Sequence, residues 1–537
     1  MRAWSLVSLG VFAAARALAQ SEFEASDFNA TEALLANGID AQLLESLNEQ
    51  LDDAVVARDL SAESSIPCTL ACATLKTVYG ADKLFTSDAL IYWSAQQDAV
   101  VPACTFKPTV ALEVSTLVLL SRLTQCPFAV KGGGHTAFVG SSSIQGGITV
   151  SLERLNSIKV LSNNLAAVGA GNRWYDVYTY LEKFNLAVVG GRAAGVGVSG
   201  LTLGGGISHH TNIRGFACDN VASYELVTAS GRILSVSQVT YPDLYWALRG
   251  GGNNFGIVTT FTMETFAQGP MWGGSRRHSP DAIPALRKAF VNMVKNAPSD
   301  PKAAHWMIHA SSTQVPGVKL VSSELEYPTQ FAPSKPPQIL KEYLAIPAYD
   351  ENIKNRTLAQ ITVMLNDSMP SGSRQSFWSA AFKLDLELVD FIGDYFYNTT
   401  AWKYPVTSIA FQSLSVPALQ AFARNGGNAL GIRAADGPLF HILLASTWQD
   451  PAMDQGVYRD SAKFIDAVVK EAKRRGLASS YIYMNYASPY QAVVDGYGSA
   501  NLKRLRQVAD VYDPAQVFQT LQPGGFKLGG APFGTAP

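Results

Sequence analysis

The chain has 537 residues, enough for two or three domains at the usual size of roughly 100–200 residues each. Apolar residues make up 47%, charged residues 16%, and the net charge at pH 7 is -1. That balance excludes a disordered chain, which needs low hydrophobicity and high net charge, and provides no concentrated basic face for nucleic acid.

In chain order, residues 1–19 read as an export signal. Arg2 supplies the positive start, Trp4 to Ala15 the apolar run, and Ala17-Leu18-Ala19 the small-x-small cleavage pattern. Residues 20–66 form an acidic segment: from Gln20 to Leu60 ten Asp and Glu stand against one base, Arg58. Asn-x-Ser/Thr triplets at Asn29, Asn355, Asn366 and Asn398 agree with a secreted glycoprotein. Two disulfides are expected among Cys68, Cys72, Cys104 and Cys126, with Cys218 unpaired; spacing leaves the connectivity open. No Cys or His pair of matching spacing follows Cys68-x-x-x-Cys72, and the His305/His309 pair lacks a metalloprotease Glu, so no metal is expected.

The glycine distribution is the informative feature. Twenty-two of the 44 glycines fall between Lys131 and Gly256, including the triplets 132–134, 204–206 and 250–252. Glycine lets backbone approach a ligand closely, so repeated triplets suggest a chain wrapped around something flat or phosphorylated; tight turns in a sheet-rich domain are the alternative. Around them the periodicity predicts a helix over 110–123 and strands over 128–130, 148–152 and 165–168. A helix over 174–184, a strand over 186–189 and a hairpin over 224–236 turning at Ser230-Gly231 follow. A short helix over 242–248 and a strand over 257–266 close the region. The Gly195-to-Gly200 run fits G-x-G-x-x-G, with Asp219 near the distance of a ribose-binding acid. Its glycines continue into Gly204-Gly205-Gly206, so no helix is expected to open there and a Rossmann fold is disfavoured. The uncharged run Ala193 to Ile213 holds six glycines and two histidines and is not expected to cross a membrane. From 271 to 480 longer helices and strands alternate; a strand, a helix and a turn-rich tail are expected from 481 to 526.

Lys131-Gly132-Gly133-Gly134-His135 resembles the flavin-attachment loop of the vanillyl-alcohol oxidase superfamily. More narrowly, it is similar to the secreted fungal branch of the berberine bridge enzyme-like oxidoreductases, with Lys in place of the commoner Arg. Gly146 to Leu152, Gly195 to Gly206, Trp246 to Thr259 and Tyr497 to Pro523 match in the same order, over roughly residues 65–530. The match is weakest between 270 and 480. The resemblance implies an α+β fold: a PCMH-type FAD-binding domain of two subdomains (67–268), an antiparallel-sheet substrate domain with helices (269–480), and a C-terminal element (481–530) returning to the FAD domain.

The resemblance also implies the site. His135 would bond covalently to the 8α-methyl of FAD, and a neutral imidazole is a competent nucleophile near pH 7. Lys131, Gly132, Gly133, Gly134, Thr136, Gly195, Gly197, Gly200, Gly205 and Ile257 would line the cofactor. The position of a second, cysteinyl link falls on Ala193, so a single link is expected, and Cys218 is read as a buried small hydrophobe. Tyr486, on an Asn-Tyr strand, would be the catalytic base, with Tyr481 and Tyr483 as competitors and no activating partner evident in the sequence. His209-His210 follow the glycine run and are left between a flavin-facing and a structural role. Val196, near the position thought to gate oxygen, is small. The expected protein is a secreted, extracellular and monomeric FAD-linked oxidoreductase that takes hydride from a small-molecule alcohol, sugar or secondary metabolite. Reoxidation by O2 would give hydrogen peroxide, with no nucleic-acid or membrane partner. An oxidative cyclase of the same fold and a non-catalytic flavin-containing binding protein are the rivals.

Overall fold

The computed structural model describes residues 23–57, 66–86, 90–332, 335–401 and 403–537. The predicted export signal lies outside the described residues.

Three sheets organise the chain. In the first, the central strand Ile148–Ser151 runs parallel to Cys104–Phe106 on one side and Phe128–Lys131 on the other, and Leu84–Phe85 adds an antiparallel edge. Parallel strands of one sheet need a crossover, and helix Ala111–Thr124 provides the one that carries the chain from Cys104–Phe106 past the central position to Phe128–Lys131. Its apolar residues are not confined to one stripe, because it is covered by helices Ala30–Ala36 and Ile66–Tyr79 as well as by strands. Cys68 and Cys72, one helical turn apart on Ile66–Tyr79, settle the connectivity: Cys68 bonds Cys126 and Cys72 bonds Cys104. Cys218 is a buried free thiol.

The second sheet is antiparallel and built around the eleven-residue strand Ile257–Ala267. Leu165–Gly169 pairs with it on one side and Val221–Val227 on the other, and Leu186–Val188 pairs with its C-terminal end; Ile158–Leu161 and Ile233–Ser237 form the edges. The predicted helices and strands of the glycine-rich region are present within a residue or two of their expected ends, except the hairpin, whose first strand starts three residues earlier. One expectation fails: a helix does open in the second glycine run, Val198–Leu203 with Gly197 at its N-cap. It is a single turn and a half embedded among antiparallel strands, so it does not make a Rossmann unit.

The third sheet has eight strands, all pairings antiparallel, with the core order Met271–His278, Leu320–Tyr327, Ala304–Ser312, Val406–Leu414, Leu439–Trp448, Arg374–Lys383. Side chains alternate between its faces. Leu325, Met307, Phe411, Ile442 and Phe382 point one way into a core shared with helices Ile283–Asn296, Leu386–Tyr395 and Asp454–Arg474. Glu324, Trp306, Gln412 and His441, one per adjacent strand and in register, point the other way. His305 and His309 lie on the apolar face, His305 stacked on Phe290 and His309 against Tyr397 and Phe411. They are core histidines.

The C-terminal stretch packs back on the glycine-rich part. Helix Ser499–Tyr512 meets Pro242–Leu248, and Phe128 N–H donates to Leu521 C=O. The predicted strand at Tyr481 is absent. That segment is irregular, ending in a 3-10 turn over Met484–Tyr486, because it crosses between the second glycine run and the third sheet instead of pairing with either.

Candidate active site

Strand Phe128–Lys131 delivers the first glycine triplet against the second glycine run. A Cβ on Gly133 would strike the backbone nitrogen of Gly197, and one on Gly197 would strike that of Gly133. At Gly132 the obstacle would be Ser199 Oγ. This is backbone on backbone, a contact open only to glycine. Gly195 N–H donates to Asn366 Oδ1 at 2.9 Å, which ties up the side-chain oxygen of one Asn-x-Ser triplet. Gly200 is exposed on the short helix, and nothing lies within 4 Å of where its Cβ would be.

His135 leaves the triplet with its ring stacked on Trp93, centroids 4.5 Å apart and planes 9° from parallel. Trp93 is held from two sides: its indole N–H donates to Met369 C=O at 3.0 Å and its backbone N–H to Gly134 C=O at 2.9 Å. Burial, with a smaller push from Arg173, lowers His135 to about 4, so it is neutral at pH 7. Lys131 is buried with its ammonium over the Tyr92 ring, and Thr136 C=O accepts from Ser94 Oγ and Gln97 Nε2. Gly205 and Ile257 lie in other surroundings. Gly205, at φ +108°, packs on Phe216 and Leu430, and Ile257 pairs with Val227. Ala193 is buried and carries no thiol; Cys218 donates its N–H to Gly205 C=O. Asp219, the would-be ribose acid, is fully buried in an ion pair with Arg249 at 3.1 Å and also accepts from Phe216 N–H and Asn428 Nδ2. Its carboxylate is structural.

The three tyrosines separate on geometry. Tyr481 is buried with its hydroxyl unpartnered, and the Tyr483 oxygen accepts from Ile207 N–H and Asn485 Nδ2 at 2.9 and 3.0 Å. Tyr486 is half-buried, and its oxygen accepts from Arg192 Nη2 at 2.6 Å. The same nitrogen donates to Gln412 Oε1 at 2.6 Å. The Arg192 guanidinium lies 4.5 Å from the Trp306 ring centroid, and no carboxylate among the described residues lies within ion-pair distance of it. His441 stacks on Tyr486 and Phe377 meets it edge-on; burial and then Arg192 hold His441 at about 3.

Arg192 is the candidate residue that the sequence reading missed and the structure brings to Tyr486. Its signal was present: it is the one charged residue between Leu186 and Ile213. The two adjacent histidines also divide. His210 packs edge-on against Phe266, whereas His209 faces Glu326 of the third sheet.

A family model described as FAD binding domain matches residues 102–237, which include both glycine runs. The FAD-dependent monooxygenase tpcD of Cochliobolus heterostrophus is 37% identical over 490 residues, covering 86% of this chain and 93% of the relative. Among solved structures, wild-type BBE-like 1 of Physcomitrella patens superposes with a TM-score of 0.70 at 20% identity, covering 85% of this chain and 99% of that one. Glucooligosaccharide oxidase from Acremonium strictum, described with a 6-S-cysteinyl, 8α-N1-histidyl FAD, gives 0.67 at 20% identity, over 87% and 97% of the two chains.

Proposed function

This chain belongs to the family of FAD-dependent oxidoreductases that includes the FAD-dependent monooxygenase tpcD, with a berberine bridge enzyme-like fold, and on that footing we propose that it is a secreted oxidase of a small-molecule alcohol, sugar or secondary metabolite. The observation that carries the reading is the 2.6 Å hydrogen bond from the buried Arg192 guanidinium to the Tyr486 phenol oxygen.

FAD fits the residues present. The contact of Gly133 with Gly197 is a wall that any Cβ would push apart, and Gly200 offers open space beside it. In this reading Gly132, Gly133, Gly134, Gly195, Gly197 and Gly200 hold the cofactor, with Lys131 and Thr136 at the ends of the first run, within residues 67–268; Gly205, against Phe216 and Leu430, and Ile257, opposite Val227, stand apart from this group. His135 supplies the covalent link, and the neutral imidazole stacked on Trp93 has a lone pair for it. Residues 269–480 receive the substrate and 481–530 bring Tyr486. When bound, FAD supplies the two-electron acceptor that no side chain can provide.

The protein's own part is proton handling and orientation. Tyr486 takes the proton from the substrate hydroxyl as its C–H bond breaks. Only the phenolate form of Tyr486 can accept that proton; Arg192 places fixed positive charge beside its oxygen, which favours that form before the transfer, and Gln412 fixes the guanidinium. His441, stacked on the phenol, and Phe377, meeting it edge-on, hold it in place. Oxygen is the final acceptor in this reading, consistent with a small Val196 at the gating position. The test is peroxide release against product formed, over a panel of sugars and of aliphatic and aromatic alcohols. One peroxide per product supports an oxidase. The relative's name favours a second reading, oxygen insertion, which isotopically labelled oxygen appearing in the product would establish.

A further inference from the structure

We propose that Glu326 and His209 form a second substrate subsite, one that grips a hydroxyl or carbonyl group of the substrate at a distance from the carbon being oxidised. The proposal rests on the oxidase reading for the position of the reacting end. Both side chains are almost completely buried, Glu326 at 0% and His209 at 2% exposure. Neither carboxyl oxygen of Glu326 and neither ring nitrogen of His209 has a hydrogen-bond partner. Their nearest approach, Nδ1 to Oε2, is 3.8 Å, beyond hydrogen-bonding reach. Buried polar groups in folded proteins are normally satisfied, so four orphaned atoms facing one another mark a place where a ligand or ordered water belongs. The contrast with Glu324, two residues earlier on the same face, is direct: it accepts from Ser275 Oγ at 2.7 Å.

The chemistry of the pair selects the ligand group. Burial, reinforced by Glu324 and opposed by Arg192, raises Glu326 well above the usual carboxyl range. Burial, then Arg192 and His210, lowers His209 well below its own. A protonated carboxyl and a neutral imidazole offer two donors, the carboxyl O–H and one ring N–H, with several acceptors and no net charge. A hydroxyl between them can donate to one and accept from the other, whereas an ammonium group would find no counter-charge. Strand order sets the length of the ligand. Glu326 lies two strands from Gln412, the partner of Arg192, with the Trp306 strand between them. Glu326 is also two residues along from that register, so at about 4.8 Å per strand and 3.4 Å per residue the backbones are roughly 12 Å apart, a span that two fused rings with a polar group at each end fill once the side chains reach inward. The implied substrate class is an oxygenated molecule of at least two rings, seated along Trp306.

The test uses the holoenzyme and ligands that are not oxidised: 2-naphthoate, whose carboxylate suits Arg192, and its 6-hydroxy and 6-aminomethyl derivatives. Binding is read from perturbation of the flavin absorbance. The 6-hydroxy compound should bind about tenfold more tightly than 2-naphthoate, the size of one good hydrogen bond to a buried partner. That advantage should survive in Glu326→Gln, which keeps a donor and an acceptor, and vanish in Glu326→Ala. Should the alanine variant not fold, Glu326→Leu keeps the volume and serves the same purpose. Equal affinities in the wild type, an advantage undiminished in the alanine or leucine variant, or tightest binding of the aminomethyl compound would each overturn the subsite. No turnover enters this measurement. A protein that prefers the hydroxyl but oxidises no alcohol refutes the oxidase reading alone, and one that oxidises alcohols without the preference refutes the subsite alone.

Discussion

The glycine cradle and the polar face of the third sheet meet at one site but are made of different material. In the cradle, Gly132, Gly133 and Gly197 work by what they lack: backbone touches backbone, and the obstacle to any substitution is a neighbouring main-chain nitrogen or a serine hydroxyl. On the sheet, Glu324, Trp306, Gln412 and His441 work by what they carry, and several of their neighbours have polar atoms that no protein group satisfies. A surface made of backbone admits little variation and suits an invariant cofactor. A surface made of side chains on a fixed lattice of strands can be changed one residue at a time, which suits a variable substrate.

The comparison breaks most visibly in the cradle. Gly133→Val should abolish flavin incorporation and yield misfolded protein, because backbone cannot step aside as a flexible side chain can. A soluble yellow variant would show that the cradle is looser than the Gly133–Gly197 contact requires. On the sheet side, Tyr486→Phe should leave flavin content and folding unchanged while lowering kcat by roughly two to four orders of magnitude, the usual range for a lost general base. Arg192→Met should reproduce most of that loss, since the two groups act through one hydrogen bond.

Stability should separate from chemistry at the disulfides. Replacing Cys72 and Cys104 together by Ser opens a loop of 32 residues and should lower stability by about 4 kcal/mol in the chain-entropy model, without touching kcat. In the unaltered protein, denatured without reductant, a thiol count should find Cys218 alone. Acid probes the sheet. His441 is held at about 3 in the folded protein, against 6.5 when exposed. Between those values the unfolded chain binds the proton and the folded one does not, so this contribution is complete above pH 6.5 and is lost as pH falls to about 3. Glu324, raised to about 7 by burial, acts with the opposite sign between 4.5 and 7, which confines the clean imidazole signal to pH below 4.5. Denaturant midpoints for His441→Phe should show an acid limb shallower there by about 1.4 kcal/mol per pH unit. The mildest change is His135→Ala. The glycines remain, so flavin should still bind but noncovalently, with a several-fold slower oxidation, and the flavin-bearing tryptic peptide containing residue 135 should disappear. Flavin attached to any other peptide would move the anchor elsewhere.

The amino-acid sequence by itself determined the cradle. The need for glycine is local: a backbone that must pass within contact of another backbone leaves no room for Cβ, so Gly132 to Gly134 and Gly195 to Gly197 announce themselves in order, with His135 behind them. The short strands and helices around them follow from periodicity for the same local reason. Tertiary structure alone decided the rest. Arg192 and Tyr486 are 294 positions apart, and neither residue's neighbours in sequence reveal the other. The same holds for His209 and Glu326, and for what the hydroxyls of Tyr481, Tyr483 and Tyr486 meet, which differs although their local pattern does not. The Cys68–Cys126 and Cys72–Cys104 pairing likewise waited on which element each face of one helix touches. Strand register and the crossing of an irregular segment bring these groups together, and both are set by the packing of the whole sheet rather than by any short stretch of chain.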